Sequence, residues 1–401
     1  MQDRARQRRR LTRRRTRLPS RMVLGGLVLL SACASAPPAG KPAVPARPLD
    51  LGIPAEPPEP ALLAGLPGAW EREAQRSTYR LETGPLQGSP NFDDLDGRPL
   101  SAYARNPYAV ADGPDRERRL ITRLPSDRAR PFMEAGNKAF GEGKLDEAFS
   151  SYRRVLEQDP LYAKPYFYLA EIESKRHDLD AAMAWNDRGL RLSPRDAYGF
   201  ALRAEIAAAL GRDELMRGAL AFALALDPFS PRALKLLLQL GGTRPPGIEP
   251  PIFVQLRPAA EPGQPPVLVA RAGGHPAWQQ YAVCRGLLAF DAHLRGEYVQ
   301  SPLQTRQPGT RSLEEETTCG YMVTAAYRAT PAGGARDSDL DRWSRAYDAN
   351  LLREAVIYET LGCRSPEVLP LLNDDLFGRV IEYVRQFVMP SPPVAAGATA
   401  R

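Results

Sequence analysis

ARPFMEAGNKAFGEGKLDEAFSSYRRVLEQDP (residues 129–160), AKPYFYLAEIESKRHDLDAAMAWNDRGLRLSP (163–194) and AYGFALRAEIAAALGRDELMRGALAFALALDP (197–228) are three segments in one register, each 34 residues after the last. A period of that length is the signature of stacked helix pairs, because one pair cannot bury its apolar face alone. The fourth place holds Phe132, Tyr166 and Phe200, and the eighth holds Gly136, Ala170 and Ala204. Small residues let helices approach closely, and aromatic rings fill the space between pairs. The twentieth place reads Ala148, Ala182 and Met216, and the twenty-eighth Leu156, Leu190 and Leu224. Pro160, Pro194 and Pro228 share the thirty-second place. There a proline ends the second helix of one pair and turns the chain into the next.

These residues resemble the tetratricopeptide repeat family, above all Ala135-Gly136, Gly143-Lys144-Leu145, Ala148, Tyr152 and Asp159-Pro160 of the first segment. The second segment departs with Glu173 and Asn186, and the third with Arg203. The resemblance implies a mainly α fold, a short solenoid of helix pairs whose concave face binds a peptide or protein. It also implies which residues line that face: Arg130, Met133, Asn137, Phe140 and Gly141, then Lys164, Phe167, Glu171, Ser174 and Lys175, then Tyr198, Ala201, Glu205, Ala208 and Ala209. Charge of both signs with aromatics suits an extended peptide or a helix better than a polyanion. Some members clamp a terminal carboxylate with Lys and Asn. Here Asn137 and Lys164 are kept but Met133 replaces a lysine, so the clamp is not carried over.

Outward from the repeats, residues 232–240 read as a leucine-rich helix capping the array, so that three repeats and cap occupy 129–242. At the other end of the chain, ten arginines and one aspartate precede an apolar run from Met22 to Leu30. That run is too short to span a bilayer and reads as a secretory signal. Leu30-Ser31-Ala32-Cys33 resembles the lipobox of bacterial lipoproteins, which implies cleavage at 1–33 and a mature chain anchored in the bilayer through acylated Cys33. Ala34 in place of aspartate favours, by analogy with enterobacterial sorting, the outer membrane facing the periplasm. Residues 34–60 contain nine prolines in twenty-seven positions. This composition favours an extended tether reaching up to roughly 80 Å at about 3.1 Å per residue, or plain disorder.

The whole chain carries 54 basic and 47 acidic residues, but without the leader 44 face 46. The basic balance belongs to the leader, so the remainder lacks the excess positive charge of a nucleic-acid-binding surface. Residues 61–128 are chopped by Gly84-Pro85, Ser89-Pro90, Asp96-Gly97, Asn106-Pro107 and Gly113-Pro114. They are expected either to pack on the edge of the array, with a short helix over 69–80, or to be disordered.

Residues 243–389 read as a mainly helical C-terminal domain with its own core, its family not recognised from the residues, followed by a loose tail at 390–401. Ile252–Leu256 and Val267–Ala270 suggest a β-hairpin that prolines confine to an edge. Helices are expected from His275, with Ala277, Tyr281, Cys284 and Leu288 on one inner face, behind a Ser312/Glu315 capping box, over 337–361 with Gly362 as stop, and over 373–388. A Cys284–Cys319 disulfide suits an oxidising compartment; Cys363 paired with Cys319, or three buried thiols, are the other readings. His177, His275 and His293 are scattered, and no motif for a nucleophile, metal or phosphate loop is present. Glu314-Glu315-Glu316 and Asp374-Asp375 read as helix-start acids. No metal and no cofactor are expected. Two functions stay open. One is a lipid-anchored interaction protein that scaffolds an envelope complex, by analogy with repeat-bearing pilotins and barrel-assembly partners. The other is an envelope enzyme with its site in the C-terminal domain and the repeats used for recruitment.

Overall fold

The computed structural model describes residues 79–86, 109–113, 118–291 (apart from 244, 246 and 249), 313–363 (apart from 332) and 366–391. The leader with Cys33, the proline-rich stretch 34–60, most of 61–128, Ser312, His293 and the tail beyond 391 lie outside them. Among the described residues no helix is long and apolar enough to cross a membrane.

The repeats form three antiparallel helix pairs and one further helix. They are α1 (Arg130–Gly141) with α2 (Leu145–Gln158), α3 (Lys164–Lys175) with α4 (Leu179–Leu192), α5 (Ala197–Ala209) with α6 (Asp213–Leu226), and α7 (Pro231–Gln239). Each second helix stops two residues before its proline. Asp178, Asp196 and Ser230 cap α4, α5 and α7 by accepting from the N–H of Ala181, Gly199 and Ala233. The turn inside each pair needs a left-handed residue, supplied by Gly143 (φ 74°), His177 (φ 63°) and Gly211 (φ 69°). The departures from the repeat pattern are absorbed locally. Asn186 is fully buried and donates from Nδ2 to the carbonyl of Gly199 at 2.8 Å. Arg203 pairs with Asp187.

The segment ahead of the repeats is not chopped into turns alone. Residues 80–85 form β1 (Arg80–Pro85), so neither a helix reaching Arg80 nor a turn at Gly84-Pro85 is present. A hairpin follows, β2 (Ala109–Asp112) with β3 (Arg119–Thr122). The expected second hairpin is β4 (Ile252–Arg257) with β5 (Val267–Ala272). It is not confined to an edge throughout, because β1 lies parallel to β5 and makes β5 the central strand. Pro266 stands just ahead of β5 and uses its carbonyl, which accepts from Arg80 N at 2.9 Å.

On this sheet lies α8 (Trp278–Phe290), which is buried on every side rather than along one stripe, from Tyr281 through Ala289. Its Cys284 is joined to Cys319 of α9 (Leu313–Arg328), with Cα atoms 5.5 Å apart. The acids Glu314, Glu315 and Glu316 stand in the first turn of α9, as expected, and are buried there. Arg285 of α8, itself 1% exposed, meets Glu316 at 3.2 Å and Glu315 at 3.5 Å. The expected helix over 337–361 is two: α10 (Ser338–Asp348) and α11 (Leu352–Val356). Between them Asn350 adopts φ 56°. From Ile357 the second of these widens into a π turn that ends at Gly362. A short 3-10 segment (Pro366–Leu371) leads to α12 (Asp374–Tyr383), capped by Asn373, which continues as a π turn to Val388.

The separate C-terminal core is replaced by a shared one. A single apolar cluster runs from Phe167, Leu202 and Leu224 of the repeats through Trp278, Trp343, Tyr358 and Val380. The first pair keeps its own smaller cluster around Tyr152, Val155 and Leu169. Burying both the sheet and the last helix pair in one cluster spares each an exposed apolar face.

Candidate partner-binding face

The first helices of the pairs, α1, α3 and α5, carry the residues assigned to the binding face, and the structure sorts them into floor and surface. Met133 and Phe167 are core residues, 5% and 1% exposed, and Ala201 is buried as well. They support the face and are not accessible to a partner. Arg130, Asn137 and Lys175 are exposed, while Phe140, Lys164, Tyr198 and Glu205 are half-buried. Arg130 pairs with Asp127. Asn137 accepts from the hydroxyl of Tyr152 at 3.0 Å. Burial holds Lys164 below the usual ammonium range, against the opposing pull of Asp196.

Around Glu171 the face becomes a network. Its carboxylate accepts from the hydroxyl of Tyr198, lies 3.0 Å from the Arg232 guanidinium and 3.6 Å from Lys175 Nζ. Arg232 also holds Glu205 at 2.5 Å. Burial raises the Glu205 carboxyl, and Arg232 works against that rise. Burial, with the Glu171 carboxylate beside it, likewise pushes the Tyr198 hydroxyl well above the ordinary phenol range.

Two members of this face were not found from the sequence. Pro231 stands one period beyond Ala197, so α7 is the first helix of a fourth, incomplete repeat. Arg232 and Lys235 then take its second and fifth places. Continuing the count by one step finds them; reading 232–240 only as a cap hides them. Tyr168 is the other omission. Its ring lies 6.2 Å from that of Phe140, 5.0 Å from that of Tyr152 and 6.1 Å from that of Tyr198.

Elsewhere the polar groups are tied into packing. Glu359, fully buried, accepts from Arg342 Nε at 2.6 Å, Trp343 Nε1 at 2.7 Å and the Tyr383 hydroxyl. Glu354, also fully buried, is held by Arg353 and Arg379. His275 is buried, its Nδ1 accepting from Ala277 N at 3.1 Å and its ring edge-on to Tyr327. With Cys284 and Cys319 bonded to each other, they form no thiolate site with His275. Among the described residues no cluster of His, Cys, Asp and Glu is placed to hold a metal. A cavity of about 510 Å³ lies between the β2–β3 hairpin, α6 and α12. At its wall Arg118 and Arg195 converge on Asp374 and on the carbonyl of Leu372.

Comparison with known proteins places the repeats. The tetratricopeptide repeat family model matches residues 139–206. No curated protein matches the chain. Similar solved structures include the first TPR domain of Spaghetti bound to an HSP90 peptide, at 23% identity over 29% of this chain and 94% of that one, with a TM-score of 0.28. The TPR domain of Arabidopsis OM64 is 17% identical over 27% of this chain and 88% of that one, with a TM-score of 0.26. The MamA protein is 13% identical over 66% of this chain and 99% of that one, with a TM-score of 0.24.

Proposed function

We propose that this tetratricopeptide-repeat protein is a lipid-anchored component of a bacterial envelope, whose α1–α3–α5–α7 face binds a protein or peptide partner and holds it in an assembly at the outer membrane. The observation that carries the reading is the face itself. It combines exposed Asn137 and Lys175 with half-buried Phe140, Tyr198 and Glu205, on a floor fixed by Met133 and Phe167. Partly exposed aromatics beside positioned charges, on rigid helices, are what selective protein recognition requires. The buried acids Glu354 and Glu359 are each paired with a guanidinium group, which supports a scaffold over an enzyme. Anchoring rests on the lipobox-like Leu30–Cys33 and the proline-rich stretch that follows it.

The test uses the full chain, extracted in detergent from its own host. A partner captured by the native protein and lost with Lys175→Glu and Ala208→Arg, both exposed positions, supports the binding face. A partner captured equally by both overturns it. In parallel, an alkyne fatty acid is expected to label the native chain and not Cys33→Ala, and label on both removes the anchor.

A further inference from the structure

The rings of Phe140, Tyr168 and Tyr198 follow one another across α1, α3 and α5, with centroids 6.2 Å and 6.1 Å apart. All three are half-buried. Tyr152 stacks on Tyr168 at 5.0 Å from the inner side of the first pair, where it is 1% exposed, and fixes the middle ring. Cationic groups stand over both ends of the row: Lys175 Nζ is 5.6 Å from the Phe140 centroid, and Arg232 Cζ is 5.0 Å from that of Tyr198. Beyond Arg232, Lys235 is exposed at the fifth place of α7.

From this row we infer that the partner segment is an extended, proline-rich peptide bearing carboxylates, laid along the three rings in polyproline geometry. The inference rests on the binding-face reading above and narrows it to one ligand chemistry. Aromatic ridges recognise proline because a preformed polyproline helix lays flat rings against ring faces at little entropic cost. The row is at most about 12 Å long, enough for one polyproline turn of roughly 9 Å. An amphipathic helix is the poorer fit, since it needs a groove of large aliphatic side chains, and the one such residue assigned to this face, Met133, is buried. Charge selects the flanks. Lys175, 3.6 Å from the buried Glu171, is exposed beside Phe140, and Lys235 is exposed on α7, while Glu205 is paired with Arg232. Acidic residues on either side of the prolines meet the two lysines.

The experiment titrates the full chain in detergent with a fluorescent peptide of repeated Glu-Pro-Pro units. Two further probes have alanine for proline, or lysine for glutamate. Binding is expected for the first probe only. An aromatic contact is worth up to about tenfold in affinity, so Tyr168→Leu is expected to weaken it by about that factor. Tyr168→Leu must keep the native circular dichroism, and the exposed pair Lys175→Glu with Lys235→Glu serves as the variant that spares the core. That pair is expected to exchange the preference toward the Lys-Pro-Pro probe. Equal binding of the alanine probe, no binding of any probe, or indifference to both variants overturns the inference. If the captured partner is nevertheless lost with Lys175→Glu and Ala208→Arg, the binding face stands and only its ligand chemistry falls.

Discussion

The ring of Phe167 occupies the space beside Gly189 so closely that a Cβ on that glycine would lie 2.5 Å from its Cε1. Gly199 of the next helix meets the same ring, at 2.6 Å. Two glycines thus let α4 and α5 close around one aromatic. Alanine normally favours a helix interior by about 0.5–1 kcal/mol over glycine. Here overpacking, at about 1–3 kcal/mol, is expected to win. Gly189→Ala is therefore expected to lower stability in urea unfolding by about 1–2 kcal/mol. In a Phe167→Leu background the same change is expected to be neutral or stabilising. A loss of equal size in both backgrounds removes the steric explanation.

His177 holds the left-handed turn position that glycine holds in the other two pairs. A side chain at such φ costs about 1–2 kcal/mol, partly offset because glycine loses more freedom on folding. His177→Gly is accordingly expected to raise stability by about 0.5–1 kcal/mol, and Gly143→Ala to lower it by a similar amount. Thermal unfolding of the two variants checks both signs, and matching signs would refute the turn argument.

What the sequence revealed follows the range of the interactions. Helix pairs at a 34-residue spacing are local, and Gly136, Ala148 and Pro160 mark them without reference to the rest of the chain. Strand β1 was hidden because its partner is remote: Arg80 is in register with Val267. Gly84-Pro85 also look like a turn until β5 pairs with them. The stripe through Tyr281, Cys284 and Leu288 was legible, but Val283, Gly286 and Leu287 behind it are equally apolar, and only tertiary packing shows that both sides are used. The pairing of Arg285 with Glu316 was not legible, because it spans two helices. Asn350, a residue that tolerates left-handed backbone, was the available sign that 337–361 is broken. On the proposed binding face, family positions placed Asn137 and Lys175, which are exposed, and Tyr198, which is half-buried. They placed Phe167 there too, although the glycines opposite it draw its ring into the core.

Cys284–Cys319 closes a loop of 35 residues between α8 and α9. In the chain-entropy account a loop of that size contributes about 3–4 kcal/mol. Replacing both cysteines by alanine is expected to lower stability by about 2–4 kcal/mol. Cys363 behaves differently, since burial pushes its thiol up to about 12. Little thiolate is then present near neutral pH, and thiolate is the reactive form. Iodoacetamide is expected to label Cys363 only after denaturation, and Cys284 and Cys319 only after denaturation and reduction. Peptide mapping that finds Cys363 labelled in the native chain, or Cys284 labelled without reductant, contradicts the assignment.

Asp374 offers a test by pH. The hydrogen bond from Arg195 is the largest influence on it; with the charge of Arg118 it holds the carboxyl below its usual range, against burial. A depressed folded-state pKa means that the unfolded chain binds the proton more readily. The stabilisation is therefore present above the unfolded value of about 3.9 and lost as pH falls through the folded one. Asp374→Asn removes the charge but leaves other bonds in place. Arg118 and Arg195 each donate to the Leu372 carbonyl at 2.7 Å, and Arg195 stacks on Phe377 at 4.1 Å. The native chain is expected to show the higher urea midpoint at neutral pH, with the two curves converging as pH falls through the folded-state pKa of Asp374. Because Asp374 is largely exposed, salt is expected to shrink the difference at neutral pH. Arg195→Met, which also gives up the carbonyl and ring contacts, is expected to lose more stability and to keep part of that loss in acid. A difference between native and Asn chains that is constant across pH would show that the Asp374 charge does not contribute.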